Sequence, residues 1–166
     1  MPATGTGDIE IEGFKADGIG QRTEDVWDGE PEGVYVPTAA KAQMVCTSDE
    51  AEVFVCGARY DKVLDAFAVR AAALDMVPYG SDGQKTHRQI KHIHGDKDNA
   101  KGGRAPASAH VTSGAGGGSG FPSHKHDTDR LPIETRHDET YNFRFKPNHG
   151  SGVQMLQRED GQRVEA

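Results

Sequence analysis

Gly118-Ser119-Gly120-Phe121-Pro122-Ser123-His124-Lys125-His126-Asp127 sets two imidazoles two residues apart, directly after a glycine-rich turn. In extended backbone, side chains at i and i+2 leave the same face, so His124 and His126 are expected to converge on one ion. Two nitrogens leave a divalent cation under-coordinated, and a carboxylate or a further imidazole has to complete the set. Two glutamates are within reach along the chain, Glu134 and Glu139. Glu134 follows Pro132 in a charged stretch that reads as loop. Glu139 opens Glu139-Thr140-Tyr141-Asn142-Phe143-Arg144-Phe145, where every second residue is of one kind, so Glu139, Tyr141, Phe143 and Phe145 share a face. The expected metal ligands are therefore His124, His126 and Glu139.

These residues carry a family resemblance. Gly118, five intervening residues, His124-x-His126 and a glutamate on the next strand resemble the first metal motif of the cupin superfamily, antiparallel β-barrels of the jelly-roll type. The glutamate usually follows the second histidine closely, whereas here Glu139 comes thirteen positions after His126. That insert, in Gly120-Phe121-Pro122-Ser123-His124-Lys125-His126-Asp127-Thr128-Asp129-Arg130-Leu131-Pro132-Ile133-Glu134 followed by Asp138-Glu139-Thr140-Tyr141, looks like the 5-deoxy-glucuronate isomerase family of myo-inositol catabolism. Val34-Tyr35-Val36-Pro37, Ala51 to Cys56 and Thr86 to Ile90 fall in the order of that family's upstream segments.

The resemblance implies a mainly all-β chain, an incomplete bicupin with a Gly-rich linker. Residues 8–61 would be later strands of a first cupin, 62–117 a connecting segment, and 118–166 early strands of a second, metal-binding cupin. It implies an isomerase that interconverts 5-deoxy-glucuronate and 5-dehydro-2-deoxy-gluconate, with a divalent metal, zinc first and manganese or iron next. Tyr141 would point into the barrel and bind a substrate oxygen. A second cupin motif, with a later-strand histidine as fourth ligand, has no counterpart before Ala166, and Gly117-Gly118 stand where family members usually carry Asn-Trp. The alternatives are a catalytically inactive metal- or sugar-binding cupin fragment, or another cupin enzyme such as an oxygenase.

Pattern away from the motif gives further expectations. Ile9-Glu10-Ile11, Gly33 to Val36, Gln43 to Cys46 and Val53 to Cys56 read as a β-meander, with Thr47 to Glu50 as a hairpin connection. Leu64, Phe67, Ala71 and Leu74 recur at helical spacing, which predicts a helix ending before Pro78. The glycines between 79 and 120 predict a linker. Cys46 and Cys56 lack metal-ligand spacing and are expected as buried thiols. His92-Ile93-His94 with Asp96 and Asp98 is a weaker rival metal site, and His87, His110, His137 and His149 read as structural or exposed.

A formal net charge of −7 argues against nucleic acid, whose phosphates need a basic footprint. Lys125, Arg130, Arg136 and Arg144, near the candidate ion, could still favour a small anionic sugar acid. There is no run of about 18 apolar residues and no basic-then-apolar leader, so no membrane association and a cytoplasmic location are expected. With 34% hydrophobic residues and 21 glycines the core is expected to be small, and cut strand edges would favour a homo-oligomer. Low thermal stability or self-association is the predicted outcome in calorimetry and light scattering. A monomer with a sharp, high-temperature transition would refute it.

Overall fold

The computed structural model describes residues 1–80, 83, 85–94, 107–112, 116–119, 124–130, 133–134 and 136–165. Its N-terminal part is built on a long antiparallel ribbon. β1 (Pro2–Thr4) and β2 (Gly7–Ile11) run one way, and β5 (Ala42–Cys46) and β6 (Glu52–Val53) return along them. The ribbon is interrupted where Gly5-Thr6 faces 47–51. Gly5 has φ +76°, and a Cβ there would sit 2.3 Å from the Glu50 carbonyl oxygen, so only glycine permits this approach. Ser48 Oγ accepts from the Thr6 amide at 2.9 Å and secures the interruption.

β3 (Phe14–Ile19) folds back on β2 through Gly13, completing the order β3-β2-β5. The alternation of Ile9-Glu10-Ile11 turns both isoleucines inward, where they meet Ala16 and Ile19. Ile11 and Ile19 are fully buried, each contributing about 1.5–3 kcal/mol of apolar transfer. A two-stranded pair, β4 (Gly33–Tyr35) with β7 (Phe67–Val69), lies beside this core, and Tyr35 stacks on Phe67 at 5.3 Å between ring centres.

The third sheet has the order β10-β9-β8, from β8 (Met76–Tyr79), β9 (Arg88–His94) and β10 (Ala107–Thr112). It buries Ile90 and Ile93, and Gly33 comes close to Ile93. A hairpin of β11 (Met155–Gln157) and β12 (Arg163–Glu165) completes the described strands. Among the described residues no helix is long and apolar enough to cross a membrane.

Several expectations are corrected. The strands are numerous, but the sheets have two or three members each, and among the described residues none closes or curls, so the cupin-type β-barrel or jelly roll is not formed. The physical reason lies in 139–145: among the described residues its backbone pairs with no strand, and a barrel wall cannot propagate through an unpaired segment. The meander is replaced by strand pairs distant in sequence, and Thr47 to Glu50 joins two strands that pair with β2 and β1 rather than with each other.

The helix over 62–76 is absent. Phe67–Val69 pairs with Gly33–Tyr35, Ala71–Ala73 forms only a short 3-10 turn, and Pro78 lies in β8. Tertiary pairing of a β-favouring Phe-Ala-Val segment overrides a helical periodicity only four residues strong, and β8 is an edge strand, where a proline's missing N–H does least harm. The glycine-punctuated linker contains a three-stranded sheet. Cys46 and Cys56 are free and exposed rather than buried; Cys46 ends the edge strand β5 opposite Gly7, which brings no side chain to cover it.

One buried carboxylate joins these pieces. Glu32, only 2% exposed, accepts from the Gly20 amide (3.0 Å), Gln21 Nε2 (3.1 Å), the Ala71 amide (3.1 Å) and Arg70 Nη1 (3.3 Å). Arg70 also donates to the carbonyls of Asp17 and Gly18. Glu32→Ala would strand two backbone donors and is expected to cost about 2–4 kcal/mol in denaturant unfolding. Wild-type stability in that variant would show that water replaces the carboxylate at no cost.

Candidate metal centre

His124, Lys125 and His126 belong to no described strand, and the chain comes back to His126 at His137. The His137 amide donates to the His126 carbonyl at 3.0 Å, closing the loop at its base. Inside it, Arg130 and Glu134 exchange backbone hydrogen bonds at 2.9 and 3.1 Å, and the Arg136 amide donates to Asp129 Oδ1 at 2.8 Å. The long insert thus folds onto itself and delivers His137 and Glu139 back to His126.

His126, His137 and Glu139 each present one donor atom, and these atoms lie within 4.8 Å of one another. His126 Nε2 is 3.8 Å from Glu139 Oε1. The rings of His126 and His137 stack at 4.3 Å. His124 meets the His126 ring edge-to-face at 5.1 Å and is exposed, outside that three-residue cluster. On its other side His126 Nδ1 is buried without a hydrogen bond, although Glu134 Oε1 stands 3.3 Å away.

The donor set suits a divalent cation. Ligand atoms around tetrahedral zinc lie about 3.4 Å apart, so the His126–Glu139 pair must close by only about 0.4 Å, with a ring rotation at the stacked histidines. Two imidazoles and a carboxylate also suit manganese or iron. The cluster could therefore coordinate a metal ion. His137, read from the sequence as structural or exposed, is the member that spacing missed. The available signal was its position two residues before Glu139, the same i, i+2 spacing that sets two side chains on one face wherever backbone is extended.

Other residues take definite places. Tyr141 and Phe143 stack at 5.8 Å and are nearly parallel, so the same-face reading of this segment holds locally. Tyr141 is nonetheless 55% exposed rather than enclosed in a barrel. Its phenol is pushed above the ordinary value, first by partial burial and then by the nearby Glu139 carboxylate. Lys125 points to Asp127 Oδ2 and Glu159 Oε1, both at 2.6 Å, and these acids raise its pKa, which makes it a poor base. Arg144 pairs with Glu52 and with Asp25 (3.7 Å) and lies over the Phe54 ring, pinning the Glu139 segment against β6. Arg130 and Arg136 are exposed.

In the rival site, His92 is exposed on β9 and among the described residues joins no ligand cluster. Asp96, Asp98 and the side chain of His94 lie outside the described residues, as do Gly120 to Ser123 of the opening motif.

A sequence profile of the KduI/IolB family matches residues 1–166, and the chain belongs to that family. It is 28% identical over 158 residues to the 5-deoxy-glucuronate isomerase of Bacillus subtilis (strain 168), covering 93% of this chain and 56% of that protein. A 45-residue stretch is 44% identical to the 5-deoxy-glucuronate isomerase of Geobacillus kaustophilus, 27% of this chain and 16% of the relative. The crystal structure of an IolB-like protein from Salmonella typhimurium LT2 superposes with a TM-score of 0.70 at 19% identity, over 99% of this chain and 62% of that one, and shares its fold. The chain spans about half the length of the curated relatives it matches.

Arg144→Ala removes the pin on the Glu139 segment. Backbone order parameters over 139–145 are expected to fall toward the flexible range, below about 0.6, while those of β2 and β5 stay unchanged. Unaltered order parameters over 139–145 would show that the pin is dispensable.

Proposed function

We propose that the chain is the metal-holding part of an aldose–ketose isomerase that converts 5-deoxy-glucuronate to 5-dehydro-2-deoxy-gluconate in inositol catabolism. The single observation behind this reading is the approach of His126, His137 and Glu139 within a family whose matched relatives are named for that isomerase. His126 and Glu139, with His124 beside them, would hold the ion, and His137 stands where it can add a further nitrogen. Zinc is the first candidate for this donor set, with manganese or iron next.

When bound, a divalent cation supplies Lewis acidity to the carbonyl and adjacent hydroxyl oxygens of a sugar acid. The isomerisation itself takes a proton from the hydroxyl-bearing carbon beside the aldehyde and returns one to the aldehyde carbon, so no redox co-substrate is consumed. Tyr141, whose phenol lies beside the Glu139 carboxylate, can donate its hydroxyl to a substrate oxygen and so orient it. Its exposure leaves the approach from solvent open. Arg130 and Arg136, exposed on the loop beside the cluster, offer guanidinium groups to the substrate's carboxylate.

A metal- or sugar-binding fragment without turnover is the second reading, favoured by the exposure of Glu139 and Tyr141, which leaves the cluster open to water. Both are tested on protein purified without chelator. Stoichiometric metal that is lost in His126→Ala and Glu139→Ala but kept in His92→Ala, together with ketose formation from 5-deoxy-glucuronate, is the result expected of the isomerase. Metal without turnover selects the fragment, and oxygen uptake would select an oxygenase. Equal loss of metal from all three variants would mean that the ion has been misplaced.

A further inference from the structure

We infer that Glu134 is a positioning residue: its carboxylate accepts a hydrogen bond from His126 Nδ1–H, holds the proton on that nitrogen and so leaves the Nε2 lone pair facing the side of Glu139 and the ion. The inference rests on the metal-centre reading and adds to it a carboxylate that is not a ligand. A neutral imidazole has one donor and one acceptor nitrogen, and whichever partner holds the proton decides which nitrogen is left to bind a metal.

His126 stands between two acids, one on each nitrogen. Glu139 Oε1 is 3.8 Å from Nε2 and Glu134 Oε1 is 3.3 Å from Nδ1. The two sides differ in surroundings. Nε2 faces the side on which Glu139 joins His126 and His137, whereas Glu134 is not a member of that cluster. Nδ1 is buried and lacks a hydrogen bond, because the Glu134 oxygen is near enough but off the direction of the ring N–H. A buried nitrogen left in this way forfeits about 1–3 kcal/mol, and a small rotation of the Glu134 side chain recovers it.

The backbone is arranged to keep Glu134 there. Its own amide and carbonyl are both bonded to Arg130 at the turn of the loop, and the loop base is shut by the His137–His126 bond. Glu134 is thus held by short-range contacts that do not depend on the ion, while its side chain reaches back across the loop to the ring. This is the arrangement in which a carboxylate fixes a ligating histidine's tautomer and raises its basicity, and loss of such a partner typically weakens metal binding about 10–100-fold.

The test uses the full chain and two readouts. In metal-free protein near pH 8, long-range proton–nitrogen spectra of His126 are expected to show the proton on Nδ1, and to show it move or exchange between the nitrogens in Glu134→Ala. Titration with Zn²⁺ is expected to give about 10–100-fold weaker binding in Glu134→Ala, with Glu134→Gln, whose amide oxygen still accepts, falling between that variant and wild type. A proton on Nε2 or on both nitrogens in the wild type, or unchanged Zn²⁺ affinity in Glu134→Ala, overturns the inference. Failure of the metal-centre reading is distinguishable, because wild-type protein would then bind no Zn²⁺ while the tautomer in metal-free protein still decides the role of Glu134.

Discussion

A carboxylate removed from water must find donors, and Glu32 finds them on two segments at once. Its bonds to Gly20, Gln21, Arg70 and Ala71 tie the end of β3 to the start of β4 and to the turn after β7. Each neutral bond of this kind contributes about 1 kcal/mol net, but the alternative, an unpartnered buried charge, is far worse. The small isoleucine core of β2 and β3 therefore does not stand alone. Polar geometry specifies how the β4–β7 pair is placed beside it.

The same principle with the opposite outcome marks the candidate centre. His126 is half-buried and lies between two acids, yet its Nδ1 hydrogen-bonds to neither. Where Glu32 is saturated and structural, His126 retains binding capacity. Its environment is built by a loop that closes through backbone bonds, so the site's shape follows from local chain geometry, and Arg144 attaches the Glu139 arm to the N-terminal ribbon.

The membership in the KduI/IolB family and the metal chemistry rest on different foundations. Family membership follows from matching along the whole chain and needs no structure. The ligand cluster follows from distances between side chains contributed by both ends of the 127–136 loop. The likeness in fold to an IolB-like protein at low identity shows that the arrangement of small sheets tolerates extensive substitution, as expected when alternation and turn glycines carry the specification.

By itself, the sequence determined the local β-character of Ile9 to Ile11, Gly33 to Tyr35 and Gln43 to Cys46, the common face of Tyr141 and Phe143, and the chemical types gathered near His126. Those properties depend on period-two alternation and side-chain chemistry, which are local. Only the tertiary structure decided that Phe67 to Val69 is a strand, that the supposed linker holds a sheet, that Cys46 is exposed, and that among the described residues the 139–145 segment has no partner strand to close a barrel. It also decided that His137 joins His126 and Glu139 while Glu134 faces the other nitrogen. Each of these turns on which distant segment supplies a hydrogen bond or an apolar face, and spacing along a chain carries no record of a partner many residues away.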